Sequence, residues 1–64
     1  MKNKIEKHDI VILKNDIGKI KKGTQGTVVY DYGTGDMFEV EFFDDSYNTI
    51  SVEKIFKDDI IFFQ

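Results

Sequence analysis

The chain has 64 residues, with nine lysines and no arginine against 12 acidic residues, one His, six Phe, three Tyr and no Cys, Pro or Trp, for a net charge of −3. A chain this short buries only about 60% of the surface it exposes when unfolded, which leaves room for one domain, and without cysteine neither disulfides nor a thiolate zinc site can brace it. The acidic balance and the missing guanidinium argue against a general nucleic-acid binder; no apolar run nears the ~20 residues of a membrane helix, and Met1 to Lys7 lacks the apolar stretch of a secretion signal, so a cytoplasmic location is expected.

The charge is unevenly spread. Residues 1–22 carry seven lysines against Glu6, Asp9 and Asp16, a balance of +4, while residues 23–64 carry two lysines against nine acids, a balance of −7. Residues 1–7 read as a flexible basic arm and residues 8–64 as a single domain. Asp9-Ile10-Val11-Ile12-Leu13 is a β-branched run bounded by turn residues and predicts a first strand. Lys14 to Lys22 is too polar, and too interrupted by Gly18, to make a helix with a clear face; it predicts a long first loop.

Lys21-Lys22-Gly23-Thr24-Gln25-Gly26-Thr27-Val28-Val29-Tyr30 is the most informative stretch, because two glycines three apart run into an alternating strand. Gly23 can supply the positive φ of a tight turn, and Gly26 lets the strand bend or another chain segment pass close. The second strand is predicted over 24–32 and closes through Gly33-Thr34-Gly35-Asp36 as a hairpin. Phe38, Val40 and Phe42 alternate with Glu39 and Glu41 in a third strand, the cleanest period of two in the chain. After the turn Asp44-Asp45-Ser46-Tyr47-Asn48, Thr49 to Val52 predicts a fourth strand with Ile50 and Val52 inward. Residues 53–59 predict one helical turn, and Ile60 to Phe63 the last strand. The expectation is an all-β, small five-stranded barrel with a single short helical turn before the last strand, closure hiding the edges.

Alternation places Val11, Leu13, Val28, Tyr30, Phe38, Val40 and Phe42 inside such a barrel and leaves Ile10, Ile12, Val29 and Phe43 facing outward. Either Ile60 and Phe62 or Ile61 and Phe63 join the outward set. Apolar side chains grouped outside mark a partner surface or a self-association interface, so a homo-oligomer is one reading. Glu39, Glu41, Asp44 and Asp45 would add a negative surface that attracts a basic protein by electrostatic steering.

The run Asp9 to Asp16, the segment Lys21 to Val29 and the strand Phe38-Glu39-Val40-Glu41-Phe42 together resemble the small bacterial family catalogued as domain of unknown function 4926, and more distantly the KOW and other SH3-like barrels. The resemblance spans roughly residues 8–63. It implies a free-standing SH3-like barrel, and, because some members accompany toxin genes, an antitoxin or immunity role. The chain departs from the pattern in the first loop, where Asp16-Ile17-Gly18-Lys19-Ile20 stands in place of the proline-containing sequence of many relatives.

Catalysis needs a nucleophile or an acid–base pair in a protected site. His8 beside Asp9 reads more simply as a solvated histidine ahead of a strand, and Ser46 and Ser51 have no assignable base. Asp31, Asp36, Asp44 and Asp45 match no calcium-loop spacing and read as turn acids. Gly33-Thr34-Gly35 is followed by no Lys-Ser or Lys-Thr pair and reads as a hairpin turn. No enzyme activity, metal or cofactor is expected. The expected function is that of a protein-binding module that neutralises a basic partner through Glu39, Glu41, Asp44 and Asp45 and the outward Ile10, Ile12, Val29 and Phe43. The alternative is a nucleic-acid or ribosome-associated module whose Lys14, Lys19, Lys21 and Lys22 hold phosphates while Tyr30 or Tyr32 stacks on bases.

Overall fold

β-branched and aromatic residues at a period of two make strands wherever they are not interrupted by glycine or clustered acids, and the chain follows that rule. The computed structural model describes residues 4–64; Met1 to Asn3 of the expected basic arm lie outside the described residues. The strands are β1 (Ile10–Leu13), β2 (Gln25–Asp31), β3 (Met37–Phe43), β4 (Thr49–Phe56) and β5 (Ile60–Phe62), with a 3₁₀ turn at Lys57–Asp59 between the last two. All pairings are antiparallel, and the strand order is β4-β3-β2-β1-β5.

The fold is all-β with five strands and one short helical turn before the last, as the sequence predicts. It differs in closure. β4 bonds to β3 and β5 to β1, and the two edges do not pair with each other among the described residues, so the sheet is not closed into a barrel. Val11, Leu13, Val28, Phe38, Val40, Phe42, Ile55 and Ile60, drawn from all five strands, still form one buried cluster, and the sheet therefore wraps around a single core.

Two bulges correct the expected sidedness. The pairing of β2 with β3 shifts between Val28 and Tyr30, so that Val28 lies opposite Val40 but Tyr30 opposite Glu39. An inserted residue reverses the alternation beyond it. Tyr30 is consequently 53% exposed rather than inside. In β4 the shift leaves Ile50 as the extra residue between Thr49 opposite Phe43 and Ser51 opposite Phe42. Ile55 then lies across from Phe38 in the core, while Ile50 and Val52, expected inward, are about half exposed at 48% and 49%. β4 also runs on through Phe56, taking over Glu53 to Phe56 from the expected helical turn, because Phe38 and Met37 continue the ladder opposite Ile55 and Phe56.

The double-glycine segment behaves as its composition implies. Gly23 has φ +92°, a left-handed conformation suited to glycine. Gly26 lies opposite Phe42, and a Cβ there would sit 2.6 Å from Val40 Cγ1. The first loop is more ordered than its polarity suggests: Ile17 and Ile20 exchange backbone hydrogen bonds at 2.8 and 2.9 Å across the turn at Gly18, which sends Ile20 into the core. Ile5 and Ile17 pack against that core from outside the strands.

Candidate functional site

With Phe38, Val40 and Phe42 committed to the core, β3 must present Glu39, Glu41 and Phe43 on the opposite face. Neighbouring strands complete that outer face row by row. Glu39 lies between Tyr30 of β2 and Lys54 of β4. Glu41 lies between Thr27 and Val52, and Thr27 in turn is opposite Ile10. Ile12 of β1 lies between Gln25 and Ile61 of β5. The structure thus brings Glu39, Glu41, Ile10, Ile12 and Phe43 onto one sheet face, as their alternation predicts. Val29 is half-buried within the β2 bulge.

At one end of this face Tyr30 and Tyr32 meet edge to face, with ring centroids 5.0 Å apart and planes at 85°. The Tyr32 hydroxyl donates to Glu39 Oε2, and Lys54 Nζ stands 5.2 Å from the centroid of the Tyr32 ring. The hydrogen bond to the Glu39 carboxylate holds the Tyr32 phenol protonated beyond the ordinary tyrosine range, with burial and the carboxylate charge acting in the same direction. In the middle, Thr49 Oγ1 donates to Glu41 Oε2 at 2.5 Å.

At the other end the β3–β4 turn is held by one carboxylate. Asp44 Oδ1 accepts from the Ser46 and Asn48 backbone N–H groups, both at 2.9 Å, and those bonds keep its carboxyl below the usual carboxylate range. The backbone of the same turn closes through Asp44 N–H to Asn48 O at 2.9 Å and Tyr47 N–H to Asp44 O at 3.0 Å. Between this turn and the start of β2 lies an open groove of about 490 Å³ whose walls include Ile12, Lys22, Phe43, Asp44, Asp45, Tyr47 and Ile50. It joins residues that the sequence assigned to three separate groups: outward apolar, acidic and lysine-loop. A larger groove, about 580 Å³, lies between the β2–β3 hairpin, the 3₁₀ turn and β5 over Phe38 and Ile60; of the residues offered as outward it includes Ile60, Ile61 and Phe62, and none of the acidic or lysine-loop groups.

Several expected groupings are separated. Lys14, Lys19, Lys21 and Lys22 are exposed on the first loop, before β2, whereas Tyr30 and Tyr32 lie at its far end, about 20 Å of extended chain away. Tyr30 and Tyr32 stand among Glu39 and Lys54 rather than among the loop lysines. Asp31 and Asp36 flank the β2–β3 turn and Asp44 and Asp45 the β3–β4 turn, at opposite ends of β3, and the described residues contain no group of three or more His, Asp or Glu placed to hold a metal. His8 is exposed, takes φ +78° and donates its backbone N–H to Val28 O at 2.7 Å, while Asp9 Oδ2 accepts the Glu6 backbone N–H at 2.8 Å.

Sequence reasoning missed Val52, Tyr47 and Ile50 as members of the exposed face and its groove, and left Ile61 as one of two alternatives for the last strand. The pairing of Ile61 with Ile12 follows from β5 register, and the exposure of Val52 from the bulge at Ile50; neither is encoded in local alternation. Among the described residues no helix is long and apolar enough to cross a membrane. No curated protein and no solved structure matches the chain. The model of one family, a domain of unknown function designated DUF4926, matches residues 7–62, which takes in all five strands and the turns between them, and the chain belongs to that family.

Proposed function

We propose that this chain is a non-catalytic protein-binding module whose outer sheet face captures a partner with a basic, partly apolar surface, in an antitoxin or immunity role. The observation that carries this reading is the composition of one face: Glu39 and Glu41 two residues apart on β3, followed by Phe43 on the same strand and flanked by Ile10, Ile12, Ile61 and Val52 on the surrounding strands. Apolar side chains supply the area that a partner removes from water, and the carboxylates speed encounter and select its charge. The antitoxin or immunity role is part of the proposal, and what supports it is that an acidic, partly apolar face suits a basic partner such as a nuclease toxin.

Wild type and the Glu39→Lys/Glu41→Lys pair, immobilised side by side at equal density, test this reading. Wild type is expected to retain a basic protein from the lysate of the native cell and the pair to lose it, with Lys14→Glu/Lys19→Glu behaving as wild type. Identical captures by all three proteins contradict the acidic face, and retention of RNA that depends on the loop lysines and fades steeply with salt moves the assignment to a nucleic-acid module.

A further inference from the structure

The groove at the β3–β4 turn carries features that the sheet face alone does not explain. Its walls are more polar than apolar but take in Ile12, Phe43 and Ile50, and they carry Asp45 and Tyr47 from the β3–β4 turn and Lys22 from the first loop. At about 490 Å³ it falls within the range that holds a compact ligand or a pair of side chains. Tyr47 is the most exposed large hydrophobic residue among those described, at 73%, yet it takes φ +63°, a left-handed conformation that glycine adopts without strain and tyrosine does not. Strain of this kind persists where surrounding bonds over-determine it, and it concentrates at binding positions. Here the four hydrogen bonds around Asp44 over-determine the turn. The result is an aromatic ring on a rigid support, and rigid exposed tyrosines are the residues that most often dominate an interface, since little conformational freedom is lost when they are covered.

The charges fix the chemistry of the occupant. Asp44 Oδ1 already accepts two bonds from the turn, so the groove acid free of that task is Asp45. Lys22 is the one cation among the groove residues. We propose that the groove seats an extended segment of the partner that carries a Leu-, Ile- or Phe-like side chain next to a lysine or arginine, the apolar group resting on Phe43 and Ile12 and the cation lying between Asp45 and the face of the Tyr47 ring. A cation over a tyrosine face is attracted by the ring quadrupole as well as by the carboxylate. This rests on the reading of the chain as a binder of basic, apolar surfaces and specifies where on it, and by which residue pattern, recognition occurs.

The test is a titration of the ¹⁵N-labelled chain with acetyl-Leu-Lys-Leu-Lys-Leu-Lys-amide and, in parallel, with the peptide in which glutamate replaces lysine. Saturable shifts of the Gly23, Thr24, Phe43 and Tyr47 amides are expected with the lysine peptide and not with the glutamate peptide. Tyr47→Gly relieves the backbone strain, so its melting temperature should equal or exceed that of wild type while its affinity for the peptide falls at least about tenfold. Tyr47→Gly binding as wild type does, or equal shifts with both peptides, overturns the proposal. Shifts confined to Glu39, Glu41 and Val52 overturn the groove and leave the sheet-face reading standing. If the same groove amides shift with protein concentration alone, a second copy occupies the groove and the proposal fails.

Discussion

Gly26 offers a prediction whose size follows from three distances. It lies on the inner face of β2 opposite Phe42, and a Cβ there would stand 2.6 Å from Val40 Cγ1 and 3.0 Å from both the Glu41 carbonyl oxygen and Phe42 Cδ1. Carbon atoms in contact prefer about 3.5–4.0 Å. Val40 and Phe42 are both 0% exposed, so neither side chain has solvent to move into, and the third neighbour is backbone. Overpacking costs about 1–3 kcal/mol, and three simultaneous clashes put Gly26→Ala toward the upper end. The lower entropy of the unfolded alanine chain offsets about 0.4–1 kcal/mol, leaving a net loss of about 2 kcal/mol. In a domain of this size about 1 kcal/mol moves the melting temperature by roughly 4–8 °C, so Gly26→Ala should melt roughly 8–16 °C below wild type and Gly26→Val lower still. Thermal and urea unfolding followed by circular dichroism measure this. Because Val40 makes the shortest contact, Val40→Ala should suppress part of the loss, with a coupling of about 1 kcal/mol in the double-mutant cycle. A melting temperature for Gly26→Ala within about 2 °C of wild type refutes the close approach of β2 and β3 at this point. Gly23→Ala is the control of different origin: no atom lies within 4 Å of its Cβ, and a loss of about 1 kcal/mol should arise from φ +92° alone.

Three further outcomes follow from the same structure. Tyr32 should titrate above the ordinary tyrosine value of about 10, and Glu39→Gln should lower it, as read by ultraviolet difference absorbance; the raised value favours the folded state below pH 10 and is lost as pH rises through it. Asp44 works in the opposite sense: its folded pKa is depressed, so its contribution is present above the unfolded carboxylate value and is lost as pH falls through the folded one, and Asp44→Ala should lower stability at pH 7 while flattening the acid limb of the stability curve. Ile20→Ala should cost about 2–4 kcal/mol in urea unfolding although Ile20 belongs to a loop, whereas Ile50→Ala, half exposed in the β4 bulge, should stay within about 0.5 kcal/mol.

What the sequence makes legible is whatever a strict period of two decides. Phe38, Val40 and Phe42 are identifiable as core and Glu39, Glu41 and Phe43 as the opposite face from β3 alone, and Gly23 and Gly26 as turn and close-approach positions from their spacing. Tyr30, Ile50 and Val52 are misplaced by the same rule because a single inserted residue in each of β2 and β4 flips everything beyond it, and the cost of that insertion is balanced by tertiary packing, in β4 by the docking of Ile55 beside Phe38. Ile20 is hidden for a related reason: its burial depends on a two-residue turn between Ile17 and Ile20 that no alternation announces. The candidate face was readable strand by strand, from Ile10 and Ile12 and from the β3 acids. The groove was not, since it exists only where the start of β2 meets the β3–β4 turn, 20 residues apart in the chain.

Association kinetics address the central claim most directly. With the basic partner recovered on wild type in solution and the chain on a surface, the association rate should fall as salt rises, because exposed carboxylates act through long-range attraction that ions screen. Glu39→Lys/Glu41→Lys should lower that rate several-fold at low salt and converge on wild type at high salt. Equal association rates for the two proteins across the salt series contradict the assignment of the outer sheet face as the surface that meets the partner.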